Sequence, residues 1–218
     1  NKVRDSITAL ADWHAVSTKR AFYRVYALTG RYDRVRVTGC PSIDLAAEAE
    51  YAQPVTSGEL GGAGPELDLQ RPFVVVVQHP VTDQWQDAYE QMTQTLIAVS
   101  QVFLPRVVFW PGEEAGQGAT SKAIRVWRED HPTQTWRLVR NLPPVRFLTL
   151  LTQASLLVGN SSAGIRECTY LGTPVVNIGD RQAGRERGEH VMDVPHDEEA
   201  ILDACRKQLQ YVGLRRDF

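Results

Sequence analysis

From residue 73 onward, short β-branched or aliphatic runs alternate with longer stretches whose apolar residues recur at helical spacing, and this alternation leaves few folds open. Strands that read as unbroken apolar runs are buried on both faces, and strands separated by helices pair in parallel. The runs at 73–78, 106–110, 135–139, 156–158 and 174–178 predict strands, and 83–102, 120–129, 145–153, 164–171 and 198–211 predict helices. Upstream the pattern predicts a helix to residue 10, a strand at 14–17, a helix at 18–28 and a strand at 35–38, before Gly39-Cys40-Pro41 breaks the chain. The reading is an α/β protein: a doubly wound, Rossmann-like domain over 69–218, preceded within 1–56 by the last units of another α/β domain. The glycine-rich segment 57–68 has the composition of a flexible linker and is the expected domain boundary. The chain opens at Asn1, without methionine, directly into the helix-like pattern Val3, Ile7, Leu10, Ala11, which reads as a truncated N-terminal domain.

Composition excludes several function classes. A net charge of −2 with both signs interspersed gives no electrostatic footprint for nucleic acid or an anionic membrane. The aliphatic run Val74–Val77 is far too short to span a bilayer. Three cysteines, Cys40, Cys168 and Cys205, form no CxxC pair and no even disulfide set, so a reducing, cytoplasmic setting is expected. His14, His131, His190 and His196 lack metal-ligand spacing, and neither a P-loop nor a GxGxxG motif is present.

In open parallel sheets ligands bind beyond the carboxyl ends of the strands. Four segments at those positions are polar: Gln78-His79-Pro80-Val81-Thr82, residues 111–116, Gly159-Asn160-Ser161-Ser162-Ala163-Gly164-Ile165-Arg166-Glu167, and residues 179–185. The third reads as strand, hydroxyl-rich turn and helix start. Unpaired N–H groups and partial positive charge at a helix start attract anions, and the same residues suit an ordinary N-cap. Ser161 and Ser162 add hydroxyl donors, and Glu167 can accept from a sugar hydroxyl. His79 can act as acid, base or phosphate donor, or as a hydrogen-bonded structural histidine. Arg181, Arg185 and Arg187 suit phosphate through their planar forks, while pairing with Asp180, Glu186 or Glu189 is expected for at least one of them.

Together with Gly172-Thr173-Pro174-Val175-Val176-Asn177-Ile178-Gly179-Asp180-Arg181-Gln182, Gly184-Arg185 and Gly39-Cys40-Pro41-Ser42, these segments closely resemble the UDP-N-acetylglucosamine 2-epimerase family, in its hydrolysing, sialic-acid branch. The resemblance implies a glycosyltransferase B-type fold with UDP lying against the C-terminal domain. It puts Ser161, Ser162, Ala163 and Gly164 at the diphosphate, Glu167 at the ribose, Arg181 and Asn141 at the nucleotide, and His79 in the active site. It implies no metal and no redox cofactor. The partner implied is UDP-N-acetylglucosamine or a related UDP-sugar, and a homo-oligomer is compatible. The implied chemistry is elimination of UDP to a 2-acetamidoglucal, then addition of water with inversion at C2. Because the family's acid and base carboxylates come largely from upstream of the segment matching Asn1, this chain is expected to bind UDP better than it turns substrate over. The non-hydrolysing branch, a glycosyltransferase of the same architecture and a UDP-binding half-protein stay open as alternatives.

Overall fold

A computed structural model describes residues 2–210. The chain forms two compact units that divide between Asp44 and Leu45. The first contains α1 (Lys2–Leu10), β1 (His14–Val16), α2 (Lys19–Thr29) and β2 (Val35–Val37), and its two strands pair in parallel. Thr18 caps α2 through its side chain, which accepts from the Ala21 N–H at 3.1 Å, and Gly30 ends the helix in the left-handed conformation. Among the described residues of this unit only Val35 is buried.

The division falls within α3 (Pro41–Glu50), a helix the sequence pattern hid behind an apparent chain break. Pro41 occupies its first position, where proline interrupts nothing because that N–H has no intrahelical partner. The second unit continues with α4 (Ser57–Leu60), β3 (Val74–Val77), α5 (Ala88–Ser100), β4 (Arg106–Phe109), α6 (Gln117–Asp130), β5 (Trp136–Val139), α7 (Pro144–Gln153), β6 (Leu156–Gly159), α8 (Glu167–Leu171), β7 (Val175–Ile178), β8 (Val191–Val194) and α9 (Glu198–Gln208). The expected helix at 83–102 begins as a 3-10 turn, Thr82–Asp87, and the one at 164–171 is split into a 3-10 turn, Ser162–Gly164, and the short α8. Strand β8 was missed because Asp193 interrupts its short apolar run and it lies partly exposed at the sheet edge. The expected end of the last helix at Tyr211 lies outside the described residues.

The six strands run parallel in the order β5-β4-β3-β6-β7-β8, the doubly wound order expected. Alternation along β3 divides the core: Val74 and Val76 join α5, α6 and α9 on one face, Val75 and Val77 join α3, α7 and α8 on the other. Met92, Leu96, Ile124 and Ile201 fill the first layer, and Leu148, Leu150, Leu151 and Cys168 the second.

The segment 57–68 is no linker. Thr56 and Glu59 form a capping box, and the Glu59 carboxylate pairs with Arg146 of α7 at 2.8 Å. Leu60 and Leu67 are buried in the second core layer. Ala63 exchanges backbone hydrogen bonds with Leu138 of β5, at 2.9 and 2.8 Å, and so covers the sheet's outer edge. Gly62 stands at φ +73°, and a Cβ there would lie 1.9 Å from the Leu138 carbonyl oxygen. Close backbone approach, not flexibility, accounts for the glycine there.

Candidate functional site

Strands β3 and β6 are neighbours at the centre of the sheet, and the chain winds away from them in opposite directions. Their carboxyl ends therefore flank the crevice where doubly wound sheets hold ligands. The ends are drawn together tightly. Gly159 adopts φ +134°, and a Cβ on it would stand 2.1 Å from the Val77 carbonyl oxygen, so any other residue would part the strands.

Asn160 locks this junction. Its fully buried side chain accepts from the His79 N–H through Oδ1 and donates to the His79 carbonyl through Nδ2, both at 2.8 Å. Two backbone groups that leave the β ladder at the strand end are thereby satisfied. The Asn160 carbonyl in turn accepts from Gln182 Nε2 at 2.8 Å and from the Arg181 guanidinium at 3.3 Å. One asparagine thus ties the loops after β3, β6 and β7 together.

The His79 ring is half-buried, and its Nδ1 accepts from the Gly112 N–H at 3.3 Å. In the neutral ring the proton therefore sits on Nε2, which is left to donate. Burial lowers the His79 pKa, the Arg181 charge lowers it further, and Glu114 opposes both. A neutral imidazole with an N–H available is the form favoured at neutral pH.

Arg181 reaches across to Glu114, with a nitrogen-to-oxygen distance of 2.8 Å. Arg187 pairs with Asp193 of β8 and donates to the Gln182 carbonyl at 2.6 Å. Two of the loop's three arginines, Arg181 and Arg187, are thus ion-paired, with the carboxylates of Glu114 and Asp193, which lie on other segments.

The serine turn differs from a free helix start. Ser161 Oγ accepts from the Ala163 N–H at 3.3 Å, the Ser161 carbonyl from Gly164 at 3.2 Å, and the Ser162 carbonyl from Ile165 at 3.0 Å. These amides already serve the 3-10 turn and would share their hydrogens with a ligand. Helix α8, five residues long, adds little macrodipole. An anion brought to this edge would meet the Arg181 guanidinium and the exposed Ser162 hydroxyl rather than orphan backbone donors. Glu167 opens α8, half-buried. Asn141 stands apart: it follows the outer strand β5, is exposed, and turns its Oδ1 back to the Leu142 N–H at 2.9 Å.

Sequence reasoning missed Asn160, Gln182 and Glu114 as parts of the site. All three lay in segments already marked as polar, but only the fold reveals which loops meet. Among the described residues no three His, Cys, Asp or Glu side chains converge as a metal centre, and no helix is long and apolar enough to cross a membrane.

An open parallel sheet of this order, with a polar crevice at its switch point, defines an α/β protein of the Rossmann-like, glycosyltransferase B type. The profile of the UDP-N-acetylglucosamine 2-epimerase family matches residues 1–216, and the chain belongs to that family. It is 26% identical over 207 residues to the hydrolysing UDP-N,N'-diacetylbacillosamine 2-epimerase of Legionella pneumophila, covering 95% of this chain and 53% of the relative. It is 24% identical over 210 residues to the UDP-N-acetylglucosamine 2-epimerase of Neisseria meningitidis, covering 95% and 52%. The crystal structure of UDP-GlcNAc 2-epimerase from Neisseria meningitidis bound to UDP-GlcNAc superposes with a TM-score of 0.70 at 15% identity, over 94% of this chain and 55% of that one. The chain spans about half the length of the relatives it matches.

Proposed function

We propose that this chain supplies the nucleotide-binding part of a hydrolysing UDP-N-acetylglucosamine 2-epimerase. The observation that carries the reading is the switch-point junction, where Asn160 joins the His79 loop to Arg181 and sets both beside the serine turn. In this reading Ser161, Ser162, Ala163 and Gly164 hold the diphosphate, with Arg181 neutralising its charge. Glu167 accepts from the ribose hydroxyls, and Asn141 reaches the uracil after releasing its own loop.

The reaction needs three things: removal of the C2 proton, departure of UDP with the C1–O electron pair, and addition of water across the resulting C1–C2 double bond. The residues of this chain serve the second. Arg181 and the serine hydroxyls stabilise charge that grows on the leaving diphosphate, an interaction stronger in the transition state than in the bound substrate. His79, neutral and with its Nε2 proton available, donates to the departing oxygen.

The test is incubation of UDP-N-acetylglucosamine with the 218-residue chain in deuterium oxide, followed by product analysis. UDP binding with little or no sugar product is expected, and any N-acetylmannosamine formed carries deuterium at C2. Steady release of N-acetylmannosamine would contradict the division of labour between this chain and the carboxylates of the family's N-terminal domain. UDP-N-acetylmannosamine without free UDP would move the chain to the non-hydrolysing branch.

A further inference from the structure

We infer that Glu114 sets nucleotide affinity at this site, its carboxylate occupying Arg181 until a nucleoside diphosphate takes that place. The inference rests on the reading of the switch point as a UDP site. Glu114 follows β4 and Arg181 follows β7, and these strands are separated in the sheet by β3 and β6. Their ion pair, at 2.8 Å, therefore crosses the ends of both central strands, over the junction where His79 and Asn160 meet. A diphosphate bound at that junction meets the pair directly.

The pair is also incompletely satisfied. Glu114 Oε1 accepts from Arg181, but Oε2 is enclosed and has no hydrogen-bond partner among the described residues. A shielded carboxylate oxygen without a donor is a cost that the resting arrangement carries. Arg181 spends one nitrogen on Glu114 and another on a 3.3 Å contact to the Asn160 carbonyl. A carboxylate and a phosphate oxygen present the same acceptor geometry to a guanidinium, and the phosphate brings more charge. Exchange releases Glu114 toward solvent, for which its loop position and side-chain exposure of 36% leave room.

UDP titration by calorimetry at one ionic strength tests this with four proteins: the unaltered chain, Glu114→Gln, Glu113→Gln and Arg181→Ala. Glu114→Gln removes the competing charge and is expected to tighten UDP binding roughly 3- to 10-fold. Glu113→Gln removes the same charge one residue away on an exposed side chain and is expected to leave affinity within about twofold. Unchanged or weaker binding by Glu114→Gln, or equal tightening by Glu113→Gln, overturns the inference. Arg181→Ala separates the two levels of argument. If it leaves UDP binding intact, the site assignment itself fails; if it weakens binding while Glu114→Gln does not tighten it, only the role of Glu114 fails. Thermal melts of each variant confirm that folded proteins are compared, and Glu114→Ala serves where the glutamine does not fold.

Discussion

Arg181→Ala is expected to weaken UDP binding roughly 10- to 100-fold, the loss of one or two charge-assisted hydrogen bonds at about 1.5–3 kcal/mol. The magnitude follows from position. Arg181 is the guanidinium held at the switch point, by the Asn160 carbonyl on one side and Glu114 on the other. Arg187 is held instead toward the edge strand β8, by Asp193 and the Gln182 carbonyl. Arg181→Lys keeps the charge but not the planar fork, and an intermediate loss is expected. Equal affinity of Arg181→Ala and the unaltered chain would place the nucleotide elsewhere.

Asn160→Ala is expected to cost about 2–4 kcal/mol of folding stability, since it leaves the His79 N–H and carbonyl without partners and opens a void at a fully buried position. Urea denaturation measures it as a lower midpoint at unchanged slope. A loss below about 0.5 kcal/mol would mean that the junction is not a structural lock. Ser162→Ala separates stability from binding in the opposite sense. Its side chain is exposed, so stability should stay within about 0.5 kcal/mol, while UDP binding weakens with the lost hydroxyl.

Much of the sheet was legible because its strands are buried on both faces and so carry unbroken apolar runs. Val74–Val77 and Leu156–Gly159 could hardly be anything else. Helix α3 and strand β8 were not, for opposite reasons. Pro41 reads as a breaker from sequence, although at a first helical position it is a starter. Val191–Val194 is an edge strand, with Asp193 facing out to Arg187, so its apolar signal is diluted. The glycine-rich 57–68 segment misled because composition does not distinguish glycines chosen for flexibility from glycines chosen for contact. Only the Leu138 carbonyl beside Gly62 shows which applies.

At the candidate site, the polar loops could be marked one by one, since each follows a strand. What the sequence could not reveal was their pairing across the sheet. Glu114 and Arg181 are far apart in the chain and meet only because β4 and β7 flank the two central strands. Nor could it show that the amides of Ala163, Gly164 and Ile165 are engaged within their own turn, which shifts the expected work of binding toward Arg181 and the hydroxyls.

The β3–β6 switch point is proposed to hold a UDP diphosphate. A crystal structure of the protein with UDP tests it most directly. Diphosphate oxygens are expected within hydrogen-bond distance of the Ser161–Ser162 turn and of the Arg181 guanidinium, with Glu114 no longer paired to it. Ordered UDP bound away from this crevice, or lying in it with the Glu114–Arg181 pair intact and no phosphate contact to Arg181, would contradict it.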